Sequence, residues 1–221
     1  MKRGAAALGV ALAATAPLAV AAGVRTAYPD APPPGTTGGF GEPTCVSCHF
    51  ATTPDTLGSL ALRGLPATYA PGRSYELTVE LARADMAAAG FQLSARFASG
   101  PVHGRQAGAF RVLGDHAAVT PQSGVEYVHQ SLAGAVPPTP GLARWRIEWT
   151  APGEGSAPIR FHVAANAANG DDSPLGDRVY ALQETIDATP SRAGGVADPL
   201  FRLVLRLPRS PIAAMARLRS G

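Results

Sequence analysis

Ser74-Tyr75-Glu76-Leu77-Thr78-Val79-Glu80-Leu81 alternates polar and apolar side chains at every step. Successive side chains of a strand point to opposite faces, so this octapeptide predicts a β-strand with one buried face. The same pattern recurs in Phe91-Gln92-Leu93-Ser94-Ala95-Arg96-Phe97 and in Trp145-Arg146-Ile147-Glu148-Trp149, which places two tryptophans on one face. Val125 to His129, Ile159 to Val163, Arg178 to Leu182 and Phe201 to Leu207 complete the set. Turn segments such as Ala70-Pro71-Gly72-Arg73 and Ala151-Pro152-Gly153-Glu154-Gly155 separate them. Short strands with turn signals between them predict an all-β fold, a β-sandwich. Only Ala82 to Ala89 is mildly helical in composition, and a turn is the alternative there.

The flanks suggest export. Met1-Lys2-Arg3 is a short basic start, and Gly4 to Ala22 is an almost unbroken apolar run ending in small residues. That is the pattern of a signal peptide over 1–22, with cleavage at Ala21 or Ala22. An uncleaved anchor is the alternative, since the run is near the minimum length for crossing a bilayer. Residues 23–43 hold Pro29, Pro32, Pro33, Pro34, Pro43 and several glycines and predict a linker. About 200 residues remain after the signal, enough for one domain, set at 44–190. The extension 191–221 interleaves Arg202, Arg206, Arg209, Arg217 and Arg219 with apolar residues. It reads either as a membrane-surface contact or as a last strand with a basic end. A formal net charge of +3 is too small to argue for a nucleic-acid partner.

The chemistry lies in Cys45-Val46-Ser47-Cys48-His49, which contains both cysteines of the chain. C-x-x-C-H is the spacing of covalent haem attachment. The two thiols bond the haem vinyl groups, and the next imidazole reaches the iron as the proximal ligand. Zinc needs further ligands at matched spacing, and no second CxxC or HxxxH exists here. A redox dithiol and a plain disulfide remain as alternatives. Maturation of such a haem in bacteria occurs outside the cytoplasm, which accords with the signal peptide. Because a sandwich fills its core with side chains, the haem segment, 41–58, is expected as an N-terminal loop or short helix laid against the sheets.

A longer set of pieces carries a resemblance. Gly41 to His49 is followed in order by Tyr69-Ala70-Pro71-Gly72-Arg73-Ser74-Tyr75, Gly90 to Arg96 and Gln106-Ala107-Gly108. Then come Glu126-Tyr127-Val128-His129, Trp145 to Pro152, Ala165-Asn166-Ala167-Ala168-Asn169-Gly170 and Gly176-Asp177-Arg178-Val179-Tyr180. This order resembles the Reeler-like (reelin-type, choice-of-anchor) domains of exported bacterial proteins that bear a CxxCH motif. The resemblance covers about two thirds of the chain. It implies an immunoglobulin-like sandwich and brings no defined activity. The chain departs from that pattern at His162, where an aromatic residue is usual, and in its extension after Tyr180.

The resemblance also points to His129 as the second iron ligand, by analogy alone. Met86 is the runner-up, and an open sixth position is the third reading. His103 and His116 read as solvated turn residues, and His162 as facing outward from its strand. Asn166, Asn169, Asp171, Asp172 and Asp177 form a loop that reads either as a calcium site or as a structural turn. The expected cofactor is one covalent haem c on Cys45, Cys48 and His49. The expected function is an exported, periplasmic or cell-surface cytochrome-like protein that transfers single electrons to a redox partner protein. The alternative is an extracytoplasmic binding, adhesion or haem-sensor module. No catalytic constellation is recognisable, although a haem enzyme such as a peroxidase is a third, weaker reading. The mature protein, recovered outside the cytoplasm, should begin after Ala21 or Ala22 by N-terminal sequencing; a chain starting at Met1 would refute the cleaved signal.

Overall fold

The computed structural model describes residues 31–50, 55–154 and 157–190. The signal peptide, the start of the linker, the strand expected at 201–207 and the basic tail all lie outside the described residues.

Ten strands form two sheets. They are β1 (Ser59–Arg63), β2 (Thr68–Tyr69), β3 (Ser74–Ala82), β4 (Ala88–Phe97), β5 (Ala109–Val112), β6 (Ala117–Gln122), β7 (Val125–Gln130), β8 (Leu142–Thr150), β9 (Ile159–Ala168) and β10 (Arg178–Ala188). One sheet has the order β1-β3-β8-β5, the other β2-β10-β9-β4-β7-β6. Only the β2–β10 pairing is parallel. The chain is therefore the all-β sandwich its alternation predicts. The strands expected at 74–81, 91–97, 125–129, 145–149, 159–163 and 178–182 all form. The short strands β1, β2, β5 and β6 went unread. Ala82 to Ala89 is no helix: Met86 N–H bonds back to the Arg83 carbonyl in a turn, and β4 starts at Ala88.

The core is set by β8. Trp145 and Trp149 are both essentially unexposed and point between the sheets. Trp145 stacks on Phe91 with ring centroids 4.4 Å apart, and Trp149 meets Phe161 edge-on at 4.9 Å. Each indole N–H is satisfied at 3.0 Å by a backbone carbonyl, Gly134 for Trp145 and Ala107 for Trp149. Two rings from one sheet thus interlock with two from the other, with no polar atom left unpaired on the indoles.

The outer faces of the sheets differ. On the four-stranded sheet, Glu76 pairs with Arg146, Glu80 with Arg144 and Arg63, and Glu148 with Arg111, in a solvated ladder. Such exposed pairs contribute little to stability individually. On the six-stranded sheet, Gln92, Ser94 and Arg96 of β4 alternate with its core residues, and His162 and Asn166 of β9 lie beside them. By periodicity alone these five polar side chains face water, yet all are buried. Residues 33–44 cover Gln92, Ser94, Arg96 and His162, while Asn166 lies against His49 of the segment that follows. This stretch falls mostly within the expected linker but lies on the sheet instead, bonding to Gln92, Ser94 and Arg96; among the described residues Arg96 Nε, His162 Nδ1 and Asn166 Oδ1 stay buried without a partner.

Truncation of Trp149 to Ala should cost about 3–5 kcal/mol, read as a lower denaturant midpoint in an urea melt; a change under about 1 kcal/mol would contradict its place in the core.

Candidate functional site

The cover is tied down along its length. Gln92 Nε2 donates to the Pro33 carbonyl at 3.0 Å, and Thr36 N–H donates to Gln92 Oε1 at 2.7 Å. Further down the sheet, Arg96 forms an ion pair with Glu42, and both groups are largely buried. The Tyr127 hydroxyl lies 2.6 Å from each of them, and Thr37 Oγ1 donates to Glu42 at 2.5 Å. Removing one partner of a buried pair strands the other charge, a loss of roughly 3–5 kcal/mol. Phe40 holds a left-handed backbone (φ 53°), and its ring packs against the Arg96 guanidinium, His162 and His103. Gly39 passes so close that a β-carbon there would lie 2.4 Å from His162 Nδ1. His162 does face outward from its strand, as its phase predicts, but under this cover.

The cover runs directly into the CxxCH segment. Cys45–Ser47 is a single 3-10 turn, and Thr44 caps it with its side chain toward Val46 N–H. His49 N–H bonds to the Cys45 carbonyl at 2.9 Å, which curls the pentapeptide on itself. Phe50 N–H then bonds to the Pro174 carbonyl at 2.8 Å, docking the segment on the loop between β9 and β10.

Beneath the turn lies an open cleft of about 220 Å³. Cys45, Cys48 and His49 line one side of it. Ala88, Gly90 and Ala168, neighbours across β4 and β9, form its floor, with Pro32, Pro33 and Ala135 at its margins. Small residues on a sheet face leave the space that larger side chains would fill. A β-carbon on Gly90 would crowd the Gln130 side chain at 3.2 Å. That side chain in turn accepts from Phe91 N–H, where the β4–β7 ladder has ended.

His49 is gripped by one ring nitrogen. Its Nδ1 lies 2.5 Å from Asp177 Oδ2, and the carboxylate is buried. Asn166 Nδ2 donates to the same oxygen at 3.1 Å, and Asn169 N–H to the other at 3.2 Å. Burial acts to raise the Asp177 pKa, but these donors outweigh it and hold the carboxyl below its ordinary value. Asp177 and Asn166 were read in the sequence only as parts of a turn-rich loop. Within that loop, Asn169 and Asp171 bond to each other and Asp171 accepts from Ser173 N–H, which is the structural-turn reading. Among the described residues no group of three or more His, Cys, Asp or Glu side chains is arranged to hold a metal ion.

The cysteines are unpaired and partly exposed. Burial pushes the Cys45 thiol up to about 12, against a lowering backbone hydrogen bond, and the nearby Cys48 adds to the rise. A redox dithiol needs a lowered thiol pKa, usually at a helix N-terminus. A three-residue turn and a raised thiol supply neither.

The structure does not bring His129 to the cleft. It sits on the same outer face, with Nδ1 2.7 Å from the Gln130 carbonyl and Nε2 2.9 Å from Thr120 Oγ1. Met86 is buried in the hydrophobic core. His116 lies exposed beside Asp115, and His103 is likewise exposed in a turn, with its ring edge-on to Phe40.

No protein-family model matches the chain, and no curated protein does. Among solved structures it is similar to the human F-spondin reeler domain, at 23% identity over 62% of this chain and 91% of that one, with a TM-score of 0.41. The Reelin-N domain of F-spondin aligns at 20% identity over 66% and 96%, with a TM-score of 0.43. A cohesin module from a Clostridium perfringens family 33 glycoside hydrolase aligns at 11% over 61% and 98%, with a TM-score of 0.41.

His162 yields a pH prediction. Burial holds its pKa below the ordinary histidine value, opposed by the bond to Gln183 and reinforced by Arg160 and Arg96. The unfolded imidazole takes up a proton near pH 6.5, whereas the folded one resists it until lower pH. Stability should therefore fall as pH drops below about 6.5. His162→Gln should flatten that limb in denaturant melts between pH 7 and 5; an unchanged slope would contradict the assignment.

Proposed function

We propose that this chain is an exported, periplasmic or cell-surface protein carrying one covalent haem c, and that it serves one-electron transfer with a protein redox partner. The observation that carries this reading is the convergence of Cys45, Cys48 and His49 on one cleft floored by Ala88, Gly90 and Ala168. Cys45 and Cys48 would hold the haem through thioethers, and His49 would ligate it with Nε2, the ring nitrogen not engaged by Asp177. Bound haem supplies a one-electron Fe(III)/Fe(II) couple. The chain's own contribution is to bind and orient. The turn at Cys45–Ser47 sets the two thiols on one side of the cleft, and the Phe50–Pro174 bond fixes where the His49 ring begins. The apolar floor keeps water from that side, and the open mouth leaves an edge accessible to a partner.

His129 is carried into this proposal as the second iron ligand on the analogy alone. To serve, its Nε2 must leave Thr120. A second reading, a haem-based sensor or binding module, has its own support. Among the described residues lining the cleft, His49 is the one histidine and there is no methionine. A sixth position without a protein ligand suits binding of a small gas better than electron relay.

Expression of the full chain with a haem-maturation system should give a haem-staining band after denaturation and a six-coordinate low-spin spectrum. An unstained band refutes the haem. A ferric high-spin spectrum with rapid carbon monoxide binding on reduction overturns the electron-carrier role in favour of the sensor. An unchanged spectrum in His129→Ala removes His129 as ligand.

A further inference from the structure

We infer that Asp177 is a positioning residue for His49, holding its imidazole in the tautomer that leaves Nε2 bare and setting a fixed negative charge against the ring. The inference rests on the haem reading and adds to it the group that tunes the proximal side.

The geometry assigns the proton. Asp177 directly precedes β10 and is 1% exposed, so its carboxylate has no access to bulk water. Every neighbour it touches is a donor. Asn169 N–H takes Oδ1, while Asn166 Nδ2 and His49 Nδ1 share Oδ2. The oxygen can accept from His49 only if Nδ1 carries the hydrogen, which is not the tautomer a free imidazole prefers. Asn166 supports the assignment. Its amide donates to Asp177 and leaves its own Oδ1 buried without a partner among the described residues. The same Nδ2 lies 3.0 Å from His49 Nδ1; rotating the amide would bring Oδ1 within reach of that ring nitrogen but set it equally close to the carboxylate, whose charge repels it. The amide therefore leaves a buried acceptor unpaired, which is unfavourable, in order to serve the carboxylate.

The backbone gives the ring no slack. His49 N–H is tied to Cys45 and the next amide to Pro174, so both ends of the residue are fixed before the side chain is placed. The His49 side chain remains 30% exposed, so the grip on Nδ1 does not bury the whole ring. Histidines that ligate metals commonly donate their other N–H to a carboxylate, which orients the ring and raises its basicity. A more basic ring and a nearby buried negative charge both favour the more positive, oxidised state of whatever Nε2 ligates. Asp177 should thus lower the reduction potential.

The test is Asp177→Asn in the full-length chain matured with haem. Cys45 and Cys48 are untouched, so the covalent haem band should persist. The midpoint potential should rise by at least a tenfold shift in the reduction equilibrium, 59 mV for a one-electron couple, and Asp177→Glu should recover part of the loss. A haem-bearing Asp177→Asn protein with an unchanged potential overturns the inference. A second measurement covers a variant that fails to fold and a wild type that takes up no haem, the latter being a failure of the haem reading itself. Long-range proton–nitrogen NMR on the wild-type chain made without haem should show the His49 proton on Nδ1. A proton on Nε2 overturns the inference whatever the haem result.

Discussion

An ion pair withdrawn from water, Arg96 with Glu42, is the constraint on which the candidate site depends. Arg96 stands on the outer face of a central strand, where an uncovered sandwich would leave it in solvent. Glu42 reaches it from a segment with almost no apolar side chains of its own. That segment cannot dock by the hydrophobic effect, so it docks by polar satisfaction, through Glu42, Thr37, Thr36 and the Pro33 carbonyl. Burial works against the Arg96 charge, and the Tyr127 hydroxyl supports it. Among the described residues, Arg96 Nε is its one buried atom without a partner, so the network comes close to the full satisfaction that burial of polar groups requires. Because residues 33–44 are held down by it, Cys45 emerges at a fixed place over the sheet.

The two outer faces divide the labour of the molecule. The four-stranded sheet carries its Glu–Arg ladder in solvent and needs no cover. The six-stranded sheet has a polar lower half roofed by residues 33–44 and an upper end of alanines and glycine with nothing bulky on it. The roof ends where the small residues begin, and the CxxCH turn hangs over that boundary. The cleft is thus made by a change in side-chain size along β4 and β9, from Arg96 and Ser94 down to Gly90 and Ala88.

The fold was legible wherever one face of a strand is buried and the strand is long. Ser74 to Leu81 and Trp145 to Trp149 declare themselves by period two. Thr68–Tyr69 is too short to show a period, and the Ala117–Gln122 strand contains Pro121, which is tolerated because the strand lies at a sheet edge. The CxxCH spacing was legible as a motif, and the fold sets its cysteines and His49 along one cleft. The roof was not, since hydropathy reads a Pro/Gly-rich polar stretch as linker and cannot see that Gln92 and Arg96 wait for its hydrogen bonds and His162 for the Phe40 ring. Asp177 was visible only as one acid in a turn-rich loop. Its partner sits 128 residues earlier, a distance over which no local pattern carries information.

That same separation orders events in time. Chains are made and exported from the N-terminus, and a sheet of non-local pairings closes late. Cys45 to His49 therefore leaves the ribosome well before β9 and β10, and for that interval its thiols and imidazole are unhindered. The grip of Asp177 and Asn166 arrives with the last strands and closes on a pentapeptide that was free until then. The fold behaves as a latch that shuts late on its own N-terminal segment rather than as a mould built before that segment arrives.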